Sequence, residues 1–160
     1  MTFIDVTPTS EADRGWMRDL WQALWGGDFM VINGEEITVS TLEGLAAYKQ
    51  NLPTGLLTYH MLGDVCEVVS LNALEPGKGI GSQLLLAAQE VARRRGCRLM
   101  KLTTTNDNVD ALRFYQSLGF RLSALRVGAV DKARMIKPGI PLIGASGTAI
   151  HDEIELEKIL

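Results

Sequence analysis

The stretch Pro76-Gly77-Lys78-Gly79-Ile80-Gly81-Ser82 decides how this chain is read. It follows a strand-like run, Val65 to Leu71 (VCEVVSL), and precedes an amphipathic run, Ser82 to Arg95. Glycines permit a sharp turn and let a ligand approach the backbone closely. The helix start adds unpaired N–H groups and the positive end of its dipole. A turn of this kind between strand and helix suits a phosphate or pyrophosphate. The plain alternative is a tight turn with no ligand. A P-loop is excluded, because Lys78 lies inside the glycine run and no Lys-Ser/Thr pair opens the helix. A dinucleotide fingerprint needs GxGxxG and an acid about 20 residues on. Here Ser82 stands at the third glycine, and the strand Arg98 to Thr104 ends in threonines.

Working outward, the helix Ser82 to Arg95 has Leu84, Leu85, Ala88, Val91 and Ala92 at helical spacing. Arg93, Arg94 and Arg95 complement its C-terminal dipole, and Gly96 ends it. That run therefore reads as a solvated helix end rather than a nucleic-acid patch. The strand Arg98 to Thr104, a helix Val109 to Leu118 and a strand Phe120 to Val127 follow. Lys137-Pro138-Gly139-Ile140-Pro141 reads as a loop, and His151 to Leu156 as a closing strand. Upstream, Leu56 to Leu62 and Val65 to Leu71 flank Gly63-Asp64 as an antiparallel pair. Pro53-Thr54-Gly55 marks the break before them. Leu45 to Lys49 is a further strand, and Asn33-Gly34 joins Phe29 to Ile32 with Glu36 to Val39 as a hairpin. Near the start, Phe3 to Val6 reads as a short strand that Thr7-Pro8 breaks. Ser10 and Asp13 form a capping box for a helix from Glu11 to Trp25, whose apolar face is Met17, Leu20, Trp21, Leu24 and Trp25. The pattern predicts one α/β (α+β) domain over residues 1–160. Its sheet is mixed, mostly antiparallel and twisted, with helices on both faces.

A chain of 160 residues with 46% apolar and 22% charged residues can bury an ordinary core. A net charge of −3 argues against a dedicated nucleic-acid binder. No apolar run reaches the length of a membrane span, and MTFIDVTPTSEADR lacks the features of a signal peptide. A cytoplasmic location is expected. Cys66 and Cys97 are far apart in apolar surroundings and read as buried free thiols, with a disulfide as the alternative. No metal site is expected.

Two blocks of the sequence resemble the GNAT superfamily of acyl-CoA N-acyltransferases. That family carries Q/R-x-x-G-x-G/A between a strand and a helix. Gly79 and Gly81 match its small positions, while Pro76 stands where the family has Gln or Arg. Downstream, Asn108-x-x-Ala111-x-x-Phe114-Tyr115-x-x-x-Gly119-Phe120 is similar to the family's N-x-x-A-x-x-F/L-Y-x-x-x-G-F. Residues 128–147 lie outside the likeness.

The resemblance implies an acetyl-CoA-dependent N-acetyltransferase acting on a primary amine by direct attack, with acetyl-CoA as co-substrate. Gly77, Lys78, Gly79, Ile80, Gly81 and Ser82 would cradle the pyrophosphate. Backbone groups of Leu71 and Ala73, on a splayed strand Val65 to Leu74, would hold the pantetheine arm and the carbonyl oxygen. Tyr115 would be the general acid for the departing thiolate. A phenol of pKa about 10 suits a thiol better than a carboxylic acid does. Its structural alternative is a place in the stripe of Ala111, Phe114, Tyr115 and Leu118. Glu67 is the candidate base and is expected to share a face with Val69 and Leu71; a structural carboxylate is the alternative. Asp152, His151 and Glu36 are weaker candidates. Asn108 either caps its helix or bonds the cofactor arm. Trp16, Trp21 and Trp25 line an acceptor site or pack the core, and His60 reads as structural. The expected partner is a small-molecule or peptide amine, with a homodimer compatible by analogy, and with neither nucleic acid nor membrane. Two other functions are weighed: a non-catalytic acyl-CoA-binding sensor domain, and a dinucleotide-dependent oxidoreductase.

Overall fold

A computed structural model describes residues 3–160. Among the described residues are nine strands and four α-helices, and the pairings described below are antiparallel. The chain divides into two compact units. One comprises residues up to Met17, Thr41–Met100 and Ile159–Leu160; the other comprises Arg18–Ser40 and Lys101–Lys158.

The first unit is built on strands in the order β1 (Asp5–Pro8), β4 (Glu43–Lys49), β5 (Leu52–Leu62) and β6 (Val65–Ala73). Helix α2 (Ile80–Arg94) packs on one face of it, burying Ile80, Leu84, Leu85, Ala88, Gln89 and Ala92. The contact is tightest at Gly55, where an added Cβ would stand 2.6 Å from Ile80 Cγ2 and 2.9 Å from Leu84 Cδ1. Gly55 is thus the hollow in the sheet into which the start of α2 sits. At its other end, Arg95 caps α2 and pairs with Glu43 at 2.8 Å.

Two prolines expected to break strands do not, for identifiable reasons. Pro53-Thr54-Gly55 does not break β5 but lies within it. The turn is made instead by Gln50 and Asn51, both left-handed at φ 52° and 64°, and a register shift at Ala47/Tyr48 absorbs the proline. Pro8 likewise belongs to β1, as its last residue, on an edge strand where a missing N–H leaves no ladder bond unmade.

Helix α1 (Arg14–Trp25) follows a 3-10 turn at Glu11–Asp13. Only part of its expected apolar face is buried. Met17 and Trp21 are fully enclosed, while Leu24 and Trp25 are exposed. The Asp13 carboxylate accepts the Ser10 N–H at 2.8 Å and also the Tyr48 hydroxyl at 2.6 Å.

The second unit contains the hairpin β2 (Phe29–Ile32) and β3 (Glu35–Thr38), turned at Asn33-Gly34 with φ 51° and 78°. It also contains most of β7 (Leu99–Thr105), with β9 (Glu153–Ile159) beside β7 and β8 (Arg121–Arg126) outermost. Helix α3 (Val109–Ser117) precedes β8. The closing strand begins two residues later than expected, so His151 and Asp152 lie before it.

An unexpected helix, α4 (Ala129–Ile136), occupies the segment outside the family likeness. Eight residues with two buried positions, Val130 and Ala133, are too few for a helix to announce itself in sequence. Tertiary bonds hold it instead. Asp152 accepts the Gly128 N–H at 2.8 Å, and Lys137 donates to the Phe29 carbonyl at 2.7 Å. Arg134 donates to the carbonyls of Pro141 and Ile150 at 2.6 and 2.7 Å, gathering the following loop. Arg126 carries a second network, with Glu153 at 2.9 Å, Glu155 at 3.1 Å and Thr103 at 2.9 Å. Among the described residues no helix is long and apolar enough to cross a membrane.

Candidate active site

The glycine turn is exposed from Pro76 to Gly79, Lys78 included, and leads straight into α2. Gly77 and Gly79 adopt φ 79° and 72°, a conformation that side chains other than glycine resist. The helix starts at Ile80, two residues earlier than expected, with Gly79 as its N-cap. No side chain caps it, and no acidic residue occupies its first turn. The positive end of a 15-residue helix is therefore left for a group from outside. An uncapped, acid-free helix start of this kind has the chemistry to take a pyrophosphate.

Strand β6 leads into that turn. The Leu74 N–H donates to the Thr54 carbonyl on β5 at 2.8 Å. Alternation along an antiparallel ladder then turns the N–H groups of Leu71 and Ala73 away from β5. These are the two residues expected to offer backbone bonds.

Further along β6 a bulge changes the face on which Glu67 lies. Thr58 pairs with Ser70 and Tyr59 with Val68, so Val69 is an extra residue on β6. Because of it Glu67 shares a face with Ser70 and Asn72, not with Val69 and Leu71 as the plain alternation implied. Gly55 and its partner Ala73 lie on the α2 face, so the Glu67 face is the opposite one. Three buried or half-buried polar features line that face, two of them cross-strand pairs. Thr58 and Ser70 hydroxyls meet at 2.6 Å, His60 Nε2 lies 2.6 Å from Glu67 Oε1, and Asn72 Oδ1 is buried without a hydrogen-bond partner. Glu67 itself is 8% exposed. A carboxylate at that depth requires partners, and the imidazole is one.

On sequence grounds His60 reads as structural, with no link to Glu67. The signal was nevertheless there. A two-residue Gly63-Asp64 turn pairs Leu62 with Val65, and counting back sets His60 opposite Glu67.

The remaining candidates lie in the second unit. Asn108 caps α3, its Oδ1 accepting the Ala111 N–H at 3.2 Å. Tyr115 is half-buried, edge-on to Phe114 at 5.4 Å and to Phe120 at 5.9 Å. Burial pushes its phenol up to about 12, so it is protonated at neutral pH. Asn106 accepts the N–H groups of His151 and Asp152 at 2.9 and 3.0 Å, which commits it to the chain. Asp152 bonds Gly128 and His151 bonds Asp131, so both serve the α4 segment. Glu36 lies on β3, exposed. Trp21 belongs to the core, with its indole N–H unpartnered. Trp16 bonds Asp13 at 2.8 Å, and Trp25 is exposed. Cys66 and Cys97 are both buried and free.

Known proteins give the same direction. The sequence model of the Acetyltransferase (GNAT) family matches residues 13–120. The protein YxbD of Bacillus subtilis (strain 168) is 39% identical over 98% of this chain and 99% of its own. The aminoalkylphosphonate N-acetyltransferase of Salmonella typhimurium is 37% identical, over 45% of this chain and 52% of its own. Among solved structures, a GNAT family acetyltransferase of Elizabethkingia anophelis with acetyl-CoA bound superposes with a TM-score of 0.72 at 21% identity, covering 98% of both chains. The chain that carries this turn, this bulged strand and this tyrosine belongs to the GNAT acetyltransferase family.

Proposed function

We propose that the protein transfers the acetyl group of acetyl-CoA to a primary amine. The observation that carries the reading is the uncapped, acid-free start of α2 behind two left-handed glycines. When bound there, acetyl-CoA supplies an activated acetyl thioester. Backbone N–H groups of Gly77 to Ser82, with Lys78 beside them, hold the pyrophosphate end. Amides of Leu71 and Ala73 donate to the pantetheine arm and the thioester carbonyl oxygen, where negative charge develops. The side chain of Asn108 is committed to its helix cap, so its contribution is to fix the start of α3.

Glu67 takes a proton from the ammonium of the acceptor, freeing the nitrogen lone pair for attack. Tyr115 gives its phenolic proton to the sulfur as the carbon–sulfur bond breaks. A phenol near 12 stays protonated throughout the working range and regains its proton from water. The likeness to an aminoalkylphosphonate N-acetyltransferase supports a small amine carrying an acidic group as the first acceptor to try.

The test is thiol release from acetyl-CoA by the purified protein. The panel is an aminoalkylphosphonate, a polyamine, free amino acids and a peptide with a free N-terminal alanine. Turnover with at least one, and a mass gain of one acetyl group on that amine, is expected. Silence across the panel together with failure to bind acetyl-CoA would reject the reading.

A further inference from the structure

We propose that His60 is the positioning residue for Glu67, a proposal that rests on Glu67 being the base. The two residues stand directly opposite on β5 and β6, with Nε2 2.6 Å from Oε1. At that separation one proton lies between the nitrogen and the oxygen; with Glu67 ionised, as a base must be, the imidazole Nε2–H donates and the carboxylate accepts. The pair is set by backbone geometry at both ends. On one side is the Gly63 turn, with φ 63°. On the other is the bulge at Val69, which rotates Glu67 onto the face that His60 occupies. Without the bulge, the register would put Glu67 on the α2 face. Two residues back along β5, on the same face of the same ladder, the Thr58–Ser70 hydroxyl pair fills the adjacent position. A glutamate has three side-chain torsions, and a bonded imidazole on a rigid neighbouring strand removes most of that freedom. A base held in one orientation reacts more often than one that must find it.

The chain has two histidines, which makes a direct test available. His151 bonds Asp131 through Nδ1 at 3.0 Å, the opposite ring nitrogen, and serves as an internal control. Long-range 15N–1H spectra of the labelled protein at neutral pH should show His60 with a proton on Nε2. A His60 that carries its proton on Nδ1 alone would overturn the proposal, whatever the catalytic result.

The kinetic arm uses thiol release from acetyl-CoA with 2-aminoethylphosphonate as the probe amine. His60→Ala should lower kcat by about tenfold or more and leave the KM for acetyl-CoA nearly unchanged. His60→Gln, which returns an N–H donor, should recover most of the loss. On a Glu67→Gln background, His60→Ala should add little further. Full kcat in His60→Ala, or an equal loss on both backgrounds, would overturn the proposal. Full activity in Glu67→Gln would instead sink Glu67 as the base while leaving the tautomer result standing. If the unaltered protein does not turn over this amine, the amine is rejected and the tautomer alone decides the pair.

Discussion

Gly55 of β5 and Ile80, the first residue of α2, are packed so closely that a methyl group on Gly55 would stand 2.6 Å from the Ile80 side chain. The contact sets the height of the helix start over the sheet, and with it the position of the amides proposed to hold pyrophosphate. Gly55→Ala forces either the strand or the helix start to move. We expect it to cost about 1–3 kcal/mol in urea unfolding and to raise the KM for acetyl-CoA. Unchanged values for both would mean that the contact is looser than described.

Gly79 makes a cleaner test of the turn, because a Cβ there meets nothing within 4 Å. Only the left-handed backbone, at φ 72°, resists substitution. Gly79→Ala should cost roughly 1–2 kcal/mol, or several degrees of Tm for a chain of this size. Acetyl-CoA binding should weaken more than stability does, as seen by calorimetric titration.

Tyr115→Phe should lower kcat by about 100-fold or more while coenzyme A binding persists, if the phenol is the acid. Burial raises Tyr48, Tyr59 and Tyr115 alike, the last to about 12. Phenolate absorbance should therefore appear above pH 10, with the Tyr115 contribution near 12 and missing from the Phe variant. The sign for stability follows. A phenol whose pKa is higher in the folded state keeps its full contribution below about 10, the unfolded value. That contribution is lost as pH rises toward 12. The Tyr115→Phe variant should lose less stability than the parent over that window.

Burial pushes the Cys66 thiol up to about 12, and Cys97 is buried beside Met61 with sulfurs 3.3 Å apart. Neither thiol should react quickly with a disulfide reagent in the folded protein, and both should react after denaturation. A fast native titre would contradict the packing around β6 and would also interfere with thiol-release assays.

The turn, the helix behind it and the Asn108–Phe120 block were legible because each depends on local chemistry: glycines, caps and helical spacing. Asn33-Gly34 identified its hairpin for the same reason. The face of Glu67 was not legible, because a bulge shifts alternation by one residue with no marker in the residues of Val68-Val69-Ser70. Helix α4 was hidden because its support comes from Asp152, Phe29 and Ile150, residues distant in sequence. The His60–Glu67 pair falls between these cases. Its register followed from the Gly63-Asp64 turn, but its importance became visible only once the bulge placed Glu67 on a largely buried polar face.

The most direct test of the central claim is a thermal-shift measurement on the purified protein with acetyl-CoA, coenzyme A and NAD. A ligand at 100 times its dissociation constant adds about 2.7 kcal/mol, or roughly 5–10 °C for a domain of this size. The account predicts such a shift with acetyl-CoA and with coenzyme A, a smaller one in Gly79→Ala, and none with NAD. A shift with NAD alone, or no shift with either coenzyme A species, would contradict it.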